Sequence, residues 1–259
     1  MEVRICSSAA SLGAAAAKYS AAVISSAIRE RGEARIILST GQSQFETLEA
    51  LVASDVDWSR VTMFHLDEYV DLPETHVASF RKYLRERFIS KVGLRAWHLV
   101  EGRADQLDQL SGLLLESPVD LGLIGIGENG HIAFNDPPCD FDTADPYIIV
   151  NLSETCKQQQ VREGWFAGTA DVPRQAVSMS CRQILKCRTI VSAVPHAQKA
   201  AAVRDTLYSR VVTNTVPATL LKTHPDFHLF LDRDSASLLD DLDRIADFSS
   251  SAPTVITEA

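Results

Sequence analysis

The chain contains no run of about eighteen apolar residues, so no membrane span is expected and a membrane is not a predicted partner. It also lacks a basic surplus: 25 Lys and Arg stand against 34 Asp and Glu, a formal net charge of −9. That balance argues against nucleic acid as the main partner. It leaves room for a small anionic ligand, because a pocket can be locally positive. Cysteine is sparse and scattered. Cys6, Cys139, Cys156, Cys181 and Cys187 form no CxxC pair, which excludes the usual zinc and disulfide frameworks. A reducing, cytoplasmic compartment fits this usage. No Gly-Lys-Ser/Thr triplet is present, so a P-loop is absent. Internal repeats, low-complexity tracts and clear linkers are missing as well.

What is present is regular alternation. Helical patterns are expected over Ala14–Glu30 (with Gly32 as its stop), Gln44–Ala53, Ser79–Phe88, Leu107–Leu115, Gln198–Leu207 and Ser235–Ile245. Short apolar runs read as strands over Arg35–Leu38, Val61–Phe64, Leu121–Ile124, Thr189–Ala193 and His228–Leu231. Strands alternating with helices imply an α/β fold: one doubly wound, mostly parallel, Rossmann-like sheet with helices on both faces. The 259 residues suffice for one such domain, expected over residues 1–248, with 249–259 as a flexible tail around Ser249–Pro253. The Ala- and Ser-rich start, Met1 to Ala17, has the look of a leader peptide. Its serines break the apolar core, and the pattern runs on as an amphipathic helix to Arg31. The least regular stretch is Pro137–Pro173, with three consecutive glutamines at 158–160. It reads as a lid over a site or as a surface insertion.

Four strand ends carry chemistry. The first is Thr40-Gly41-Gln42-Ser43, between a strand and a helix. Hydroxyls and free amides at a helix start suit an anion such as phosphate; a plain helix cap is the competing reading. The second is Leu66-Asp67-Glu68-Tyr69. Adjacent carboxylates on an extended chain point apart, so one can face a pocket while the other holds the loop. Either can serve as a general base, and a solvated acidic turn is the alternative. A metal set of His65, Asp67 and His76 matches no common ligand spacing, so no metal is expected. The third end is Gly125-Ile126-Gly127-Glu128-Asn129-Gly130-His131, continuing to Asp136. Glycine lets backbone approach a ligand. A histidine with an amide two residues before it and a carboxylate five after it is a proton-transfer set. The fourth end, Val194-Pro195-His196-Ala197-Gln198-Lys199, places Lys199 at a helix start, where the dipole does not favour a cation but a bound phosphate would.

Together, in this order, these segments resemble the glucosamine-6-phosphate deaminase (isomerase) family. Leu66–Pro73 resembles its MDEYVGLP motif, and Gly127–Pro137 resembles GxDGHIAFNEP. Thr40–Ser43, Gln198–Ala200 and Pro217–Pro225 resemble the TGGTP, xxKA and PASxLQxHP segments. The likeness spans Leu38 to Asp232. The related 6-phosphogluconolactonases share the fold but carry DER at the Asp67 position and lack the AFNxP continuation seen at Ala133–Pro137.

The resemblance implies a cofactor-free enzyme acting on a small sugar phosphate, able to form a homo-oligomer. Asp67 matches the base that moves a proton from C2 to C1, supported by Glu68. His131 matches the residue that opens the sugar ring, with Gly127 in its loop and Asn129 and Asp136 among the catalytic positions. Thr40, Gly41, Gln42, Ser43 and Lys199 match the phosphate-holding set. Three positions depart from the pattern: Asn129 stands for Asp, Asp136 for Glu and Gln42 for the second Gly. A neutral Asn cannot raise the basicity of His131 as a carboxylate would. These departures leave open a branch acting on another sugar phosphate, a lactonase or non-deaminating isomerase, and a non-catalytic sugar-phosphate binder. Some family members are hexamers with an allosteric phosphate site just after this motif. Here Cys139–Ile148 holds three aspartates and no Lys or Arg, so that site is expected to be absent.

Overall fold

The computed structural model describes residues 1–245 and 253–258. The chain opens with β1 (Glu2–Cys6), α1 (Ala9–Arg31), β2 (Ala34–Leu38), α2 (Phe45–Val52), β3 (Val61–His65) and β4 (Asp67–Tyr69). Next come α3 (Phe80–Leu84, extended by a π-turn over Arg85–Ile89), β5 (Ala96–His98), α4 (Leu107–Leu115), β6 (Leu121–Leu123), β7 (Tyr147–Asn151) and α5 (Glu154–Arg162). The chain closes with β8 (Gln175–Met179), α6 (Cys181–Ile184), β9 (Thr189–Val194), α7 (Ala200–Tyr208), β10 (Phe227–Asp232) and β11 (Thr254–Thr257).

Eight strands form one sheet in the order β11-β1-β10-β9-β6-β2-β3-β5, and every neighbouring pair is parallel. Along β2 the side chains alternate between two cores. Ile37 packs with Leu110, Leu114, Val203 and Leu207 of α4 and α7. Ile36 and Leu38 pack with Leu12, Ile24, Leu48 and Leu84 of α1, α2 and α3. Helices therefore cover both faces, which is why the inner strands read as unbroken apolar runs. A second, antiparallel sheet, β4-β8-β7, sits beyond the end of β3.

Helix α1 starts at a Ser8–Ser11 capping box and stops at Gly32, which adopts φ +82° and donates its amide to the Ile28 carbonyl at 2.8 Å. Four expectations need correction. The N-terminal helical pattern does not extend through residues 2–6, which are β1, paired with β10 and β11. Pro137–Pro173 is not simply irregular: it contributes β7 and α5. Ser235–Ile245 is not a helix; the Asp232 carboxylate takes the Ser235 amide at 2.8 Å and winds a tight turn, leaving only a 3₁₀ turn at Leu242–Arg244. The flexible tail is overturned at Thr254–Thr257, whose β-branched run adds β11 to the sheet edge; 249–252 lie outside the described residues.

Candidate active site

Strands β9, β6, β2 and β3 are consecutive in the sheet, with Leu38 opposite both His65 and Leu123, and Leu123 opposite Val191. Their carboxyl ends therefore align, and the four chemically loaded loops meet at one edge. That edge, outside the ends of parallel strands, is where such sheets hold ligands. One cavity there, about 560 Å³ of empty space including its mouth, is bounded by all four segments.

Thr40, Gly41, Gln42, Ser43 and Lys199 line this cavity, as do Asp67, Gly127 and His131. Asn129, Asp136 and Glu68 stand behind the wall. Gly41 takes φ +99°, a conformation only glycine adopts readily, and so turns the backbone of the first loop into the cavity. The loop is tied down from outside: the Tyr83 hydroxyl donates to the Gly41 carbonyl at 3.0 Å, and the Gln42 side chain donates to the Glu163 carbonyl at 2.8 Å. Lys199 is 7% exposed. Burial pushes its ammonium below the ordinary lysine range, and Glu163 and Glu128 oppose that.

The two carboxylates of β4 divide their work by strand alternation. Glu68 is fully buried and accepts from the Tyr69 amide (2.9 Å), the Ser79 hydroxyl (2.9 Å), and the Phe80 (3.2 Å) and Arg81 (2.9 Å) amides. The Arg81 guanidinium adds a contact at 3.2 Å. Glu68 thus caps the first turn of α3 and anchors the loop. Asp67 points the other way, into the cavity, at 6% exposure. No side chain among the described residues hydrogen-bonds its carboxylate. Burial, then the charge of Glu68, holds Asp67 well above the usual carboxylate range.

His131 is fixed from behind. Its Nδ1 lies 2.6 Å from Asn129 Oδ1 and 3.3 Å from Asp136 Oδ1. Asn129 Nδ2 donates to Asp136 Oδ1 at 3.2 Å, which orients the amide with its oxygen toward the ring. An amide oxygen only accepts, so Nδ1 carries the hydrogen and Nε2 is the nitrogen left for a ligand. Asp136 Oδ2 accepts from the Ser153 hydroxyl at 2.8 Å and the Ser153 amide at 3.2 Å, at the N-terminus of α5. Burial alone would raise Asp136; hydrogen bonds from His131, Ser153 and Asn129 outweigh it and hold the carboxyl at about 2. The carboxylate that the neutral Asn129 does not supply is therefore delivered by Asp136, across the same ring nitrogen. The imidazole lies flat on Gly127, where a Cβ would sit 2.1 Å from His131 Cε1. Asn135 pins the loop to the second sheet, donating to the Met179 carbonyl (2.9 Å) and to Ser178 Oγ (3.2 Å), and Ser178 is the register partner of Asp67.

The metal set drawn from His65, Asp67 and His76 does not converge. His65 is fully buried, takes the Val100 amide at 3.4 Å, and is pushed down to about 3 by burial and then by Arg81. His76 stacks on Phe166. Among the described residues no three His, Cys, Asp or Glu side chains are arranged to hold a metal ion. No helix is long and apolar enough to cross a membrane.

Sequence reasoning missed the wall made by α5, where Gln159, Gln160 and Glu163 also line the cavity. The available signal was Gln159, Gln160 and Glu163 on one face (i, i+1 and i+4) behind a Ser153 cap; both glutamines are buried, so a hydrophilic face is turned inward. Phe80 and Phe134, which close the cavity, were missed for a plainer reason: any apolar residue of the core can be drawn to a wall.

The family model for glucosamine-6-phosphate isomerases/6-phosphogluconolactonase matches residues 7–229. A glucosamine-6-phosphate deaminase of Streptococcus pneumoniae (strain Hungary19A-6) is 35% identical over 207 residues, covering 78% of this chain and 86% of that protein. Among solved structures, a monomeric glucosamine-6-phosphate deaminase superposes with a TM-score of 0.82 at 28% identity, covering 92% of this chain and all of the other. A 6-phosphogluconolactonase from Shewanella baltica OS155 shares the fold, with a TM-score of 0.72 at 21% identity over 90% of this chain and 98% of that one. With the strand-end loops matched in order and the match covering most of the sequence, the chain belongs to the glucosamine-6-phosphate isomerase/6-phosphogluconolactonase family.

Proposed function

We propose that the protein is a cytoplasmic aminosugar-phosphate deaminase that converts glucosamine 6-phosphate and water to a ketose 6-phosphate and ammonia. The observation that carries this reading is the pairing on one cavity wall of Asp67, a buried carboxylate with no donor among the described residues, and His131, a tautomer-fixed imidazole. A carboxylate that lacks partners and is held above its ordinary range is suited to take a proton from carbon at neutral pH.

In this mechanism the Thr40–Ser43 amides and hydroxyls hold the 6-phosphate, and Lys199 neutralises it; the phosphate dianion offsets the burial of the ammonium. His131 Nε2 moves a proton at the ring oxygen and opens the pyranose to the aldehyde. Asp67 takes the C2 proton, giving an enolamine, and returns a proton to C1. The product is a C2 imine, which water hydrolyses to the ketone with release of ammonia. Asp136, through Asn129 and directly, stabilises the imidazole as it gains charge. Every step is proton transfer or hydration, and none needs a cofactor. Five buried free cysteines support the cytoplasmic assignment.

The test is direct. The protein is incubated with glucosamine 6-phosphate, and ammonia and ketose phosphate are measured together. Equimolar release is expected. Hydrolysis of 6-phosphogluconolactone without ammonia release from the aminosugar would replace this reading with the lactonase one.

A further inference from the structure

The three consecutive glutamines at 158–160 take no part in the chemistry above, yet two of them line the cavity. Their hydrogen bonding separates them. Gln159 is satisfied at both ends: its oxygen accepts the Glu128 amide at 3.3 Å and its nitrogen donates to Glu163 Oε1 at 2.8 Å. It locks α5 to the glycine loop. Gln160 is satisfied at one end only. Its Oε1 accepts the Tyr69 hydroxyl at 2.7 Å, and its Nε2 has no protein partner among the described residues. The residue is 5% exposed and lines the cavity, and its Nε2 is not sealed in the protein, so this donor is open to whatever occupies the cavity.

The clamp on Gln160 is rigid. Tyr69 is fully buried, and the rings of Phe80, Phe134 and Phe166 pack on it at centroid distances of 5.2, 5.1 and 5.5 Å. Its hydroxyl therefore has one position, and burial keeps it protonated, hence a donor. The hydroxyl donates to Gln160 Oε1, and that leaves the NH₂ end for the cavity. Tyr69 also stands two residues after Asp67 on β4, so both side chains leave the same face of the strand. The proton-transfer carboxylate and the clamp of Gln160 are thus set by one backbone segment.

We infer that Gln160, oriented by Tyr69, is a specificity-determining residue that donates a hydrogen bond to a hydroxyl of the sugar backbone between the reacting C2 and the phosphate-bearing C6. The inference rests on the sugar-phosphate reading of the cavity. It adds a direct contact to the hydroxyls at C3 and C4, which the phosphate loop, Asp67 and His131 do not address. A site built to hydrogen-bond a substrate hydroxyl discriminates strongly against analogues that lack it.

The experiment compares wild type, Gln160→Met and Tyr69→Phe. It measures kcat/KM for glucosamine 6-phosphate and for its 3-deoxy and 4-deoxy derivatives, and the Kd of fructose 6-phosphate by calorimetry. Gln160→Met keeps the side-chain length and removes the donor. It is expected to lower kcat/KM for glucosamine 6-phosphate, and affinity for fructose 6-phosphate, by about tenfold. The loss should vanish for one deoxy derivative and persist for the other, naming the hydroxyl that is read. Tyr69→Phe should show the same pattern at smaller amplitude. An equal loss on all three substrates, or a loss below about twofold on both readouts, would overturn the inference. If wild type binds fructose 6-phosphate but releases no ammonia, the deaminase reading falls and the calorimetric arm decides for Gln160. If wild type binds neither sugar phosphate, both fall.

Discussion

Replacing Gly127 with alanine tests the placement of His131 more sharply than removing the histidine does. The backbone at Gly127 is not in the left-handed region, so alanine meets no conformational penalty there. The obstacle is the imidazole. An alanine Cβ would lie 2.1 Å from Cε1 and 2.3 Å from each ring nitrogen of His131. Ordinary contact needs well over 3 Å, so the ring must retreat by about 1 Å or more. It cannot retreat freely, because Asn129 Oδ1 holds Nδ1 at 2.6 Å and Asp136 stands behind. Misplacing a catalytic group by about 1 Å costs on the order of a hundredfold in rate. Gly127→Ala is therefore expected to lower kcat/KM for ammonia release by about a hundredfold. Overpacking should also cost about 1–3 kcal/mol of stability, read as a lowered Tm. In a His131→Ala background the clash is gone, so Gly127→Ala should there cost little further Tm, while the protein stays inactive. Wild-type turnover in Gly127→Ala, or a Tm loss from Gly127→Ala as large in the His131→Ala background as in wild type, would refute the geometry.

Asp67→Asn should lower turnover by at least about a hundredfold, the usual weight of a general base. Because burial raises the folded-state value of Asp67, its contribution to stability is full below the unfolded value and is lost as pH rises through the folded one. The same variant should therefore raise the Tm at pH 8, and the acid limb of the wild-type rate profile should lie above the ordinary Asp value of about 3.9; a limb at or below that value, or a lowered Tm, counts against the assignment. Asp136 behaves oppositely: held at about 2 against an ordinary 3.8, it stabilises the fold above pH 4, and that contribution is lost as pH falls toward 2. Asp136→Asn is expected to cost about 2 kcal/mol in urea unfolding at pH 7, with the difference from wild type shrinking in acid. Glu68→Gln puts an NH₂ where one carboxylate oxygen accepts from surrounding donors, Arg81 among them, and should lower the Tm; because burial holds Glu68 above its ordinary range, the loss relative to wild type should be greater in acid than at pH 8, and a loss confined to pH 8 would count against this account. Kinetics should be hyperbolic, since the segment after Asp136 offers aspartates and Asp140 spends its carboxylate on the Asp142 and Thr143 amides; sigmoidal rates relieved by N-acetylglucosamine 6-phosphate would show otherwise.

The loops that form the cavity were legible in the chain because each combines two local signals. An apolar run such as Ile36–Leu38 marks a buried strand, and the Ser, Gly, Asp or His residues after it mark an edge that cannot be core. Alternation of strand and helix then forces parallel neighbours, and parallel strands bring their carboxyl ends to one side. That chain of reasoning identified Thr40–Ser43, Asp67, His131 and Lys199 as candidates without a single contact. It also foresaw that Asp67 and Glu68 would divide, since alternation along an extended backbone is local geometry. It could not decide which of the two faced the cavity; that depended on Glu68 finding the N-terminus of α3, twelve residues away.

Other features were settled only in three dimensions. Strands β1 and β11 are too short and too mixed to declare themselves, and their stability comes from pairing with β10 and with each other. The failed helix after β10 had acceptable propensity, but the Asp232 carboxylate captured the Ser235 amide and closed a turn instead. Asn129 looked like a loss of charge beside His131. Folding brought Asp136 within 3.3 Å of the same nitrogen and left Asn129 to fix the tautomer. The role of the glutamines was the least legible, because a polar residue on a helix reads as solvent-facing until something covers it. Here β4 and the glycine loop cover α5. With Tyr69 fixing its oxygen, Gln160 changes from a surface amide into a donor at the cavity wall.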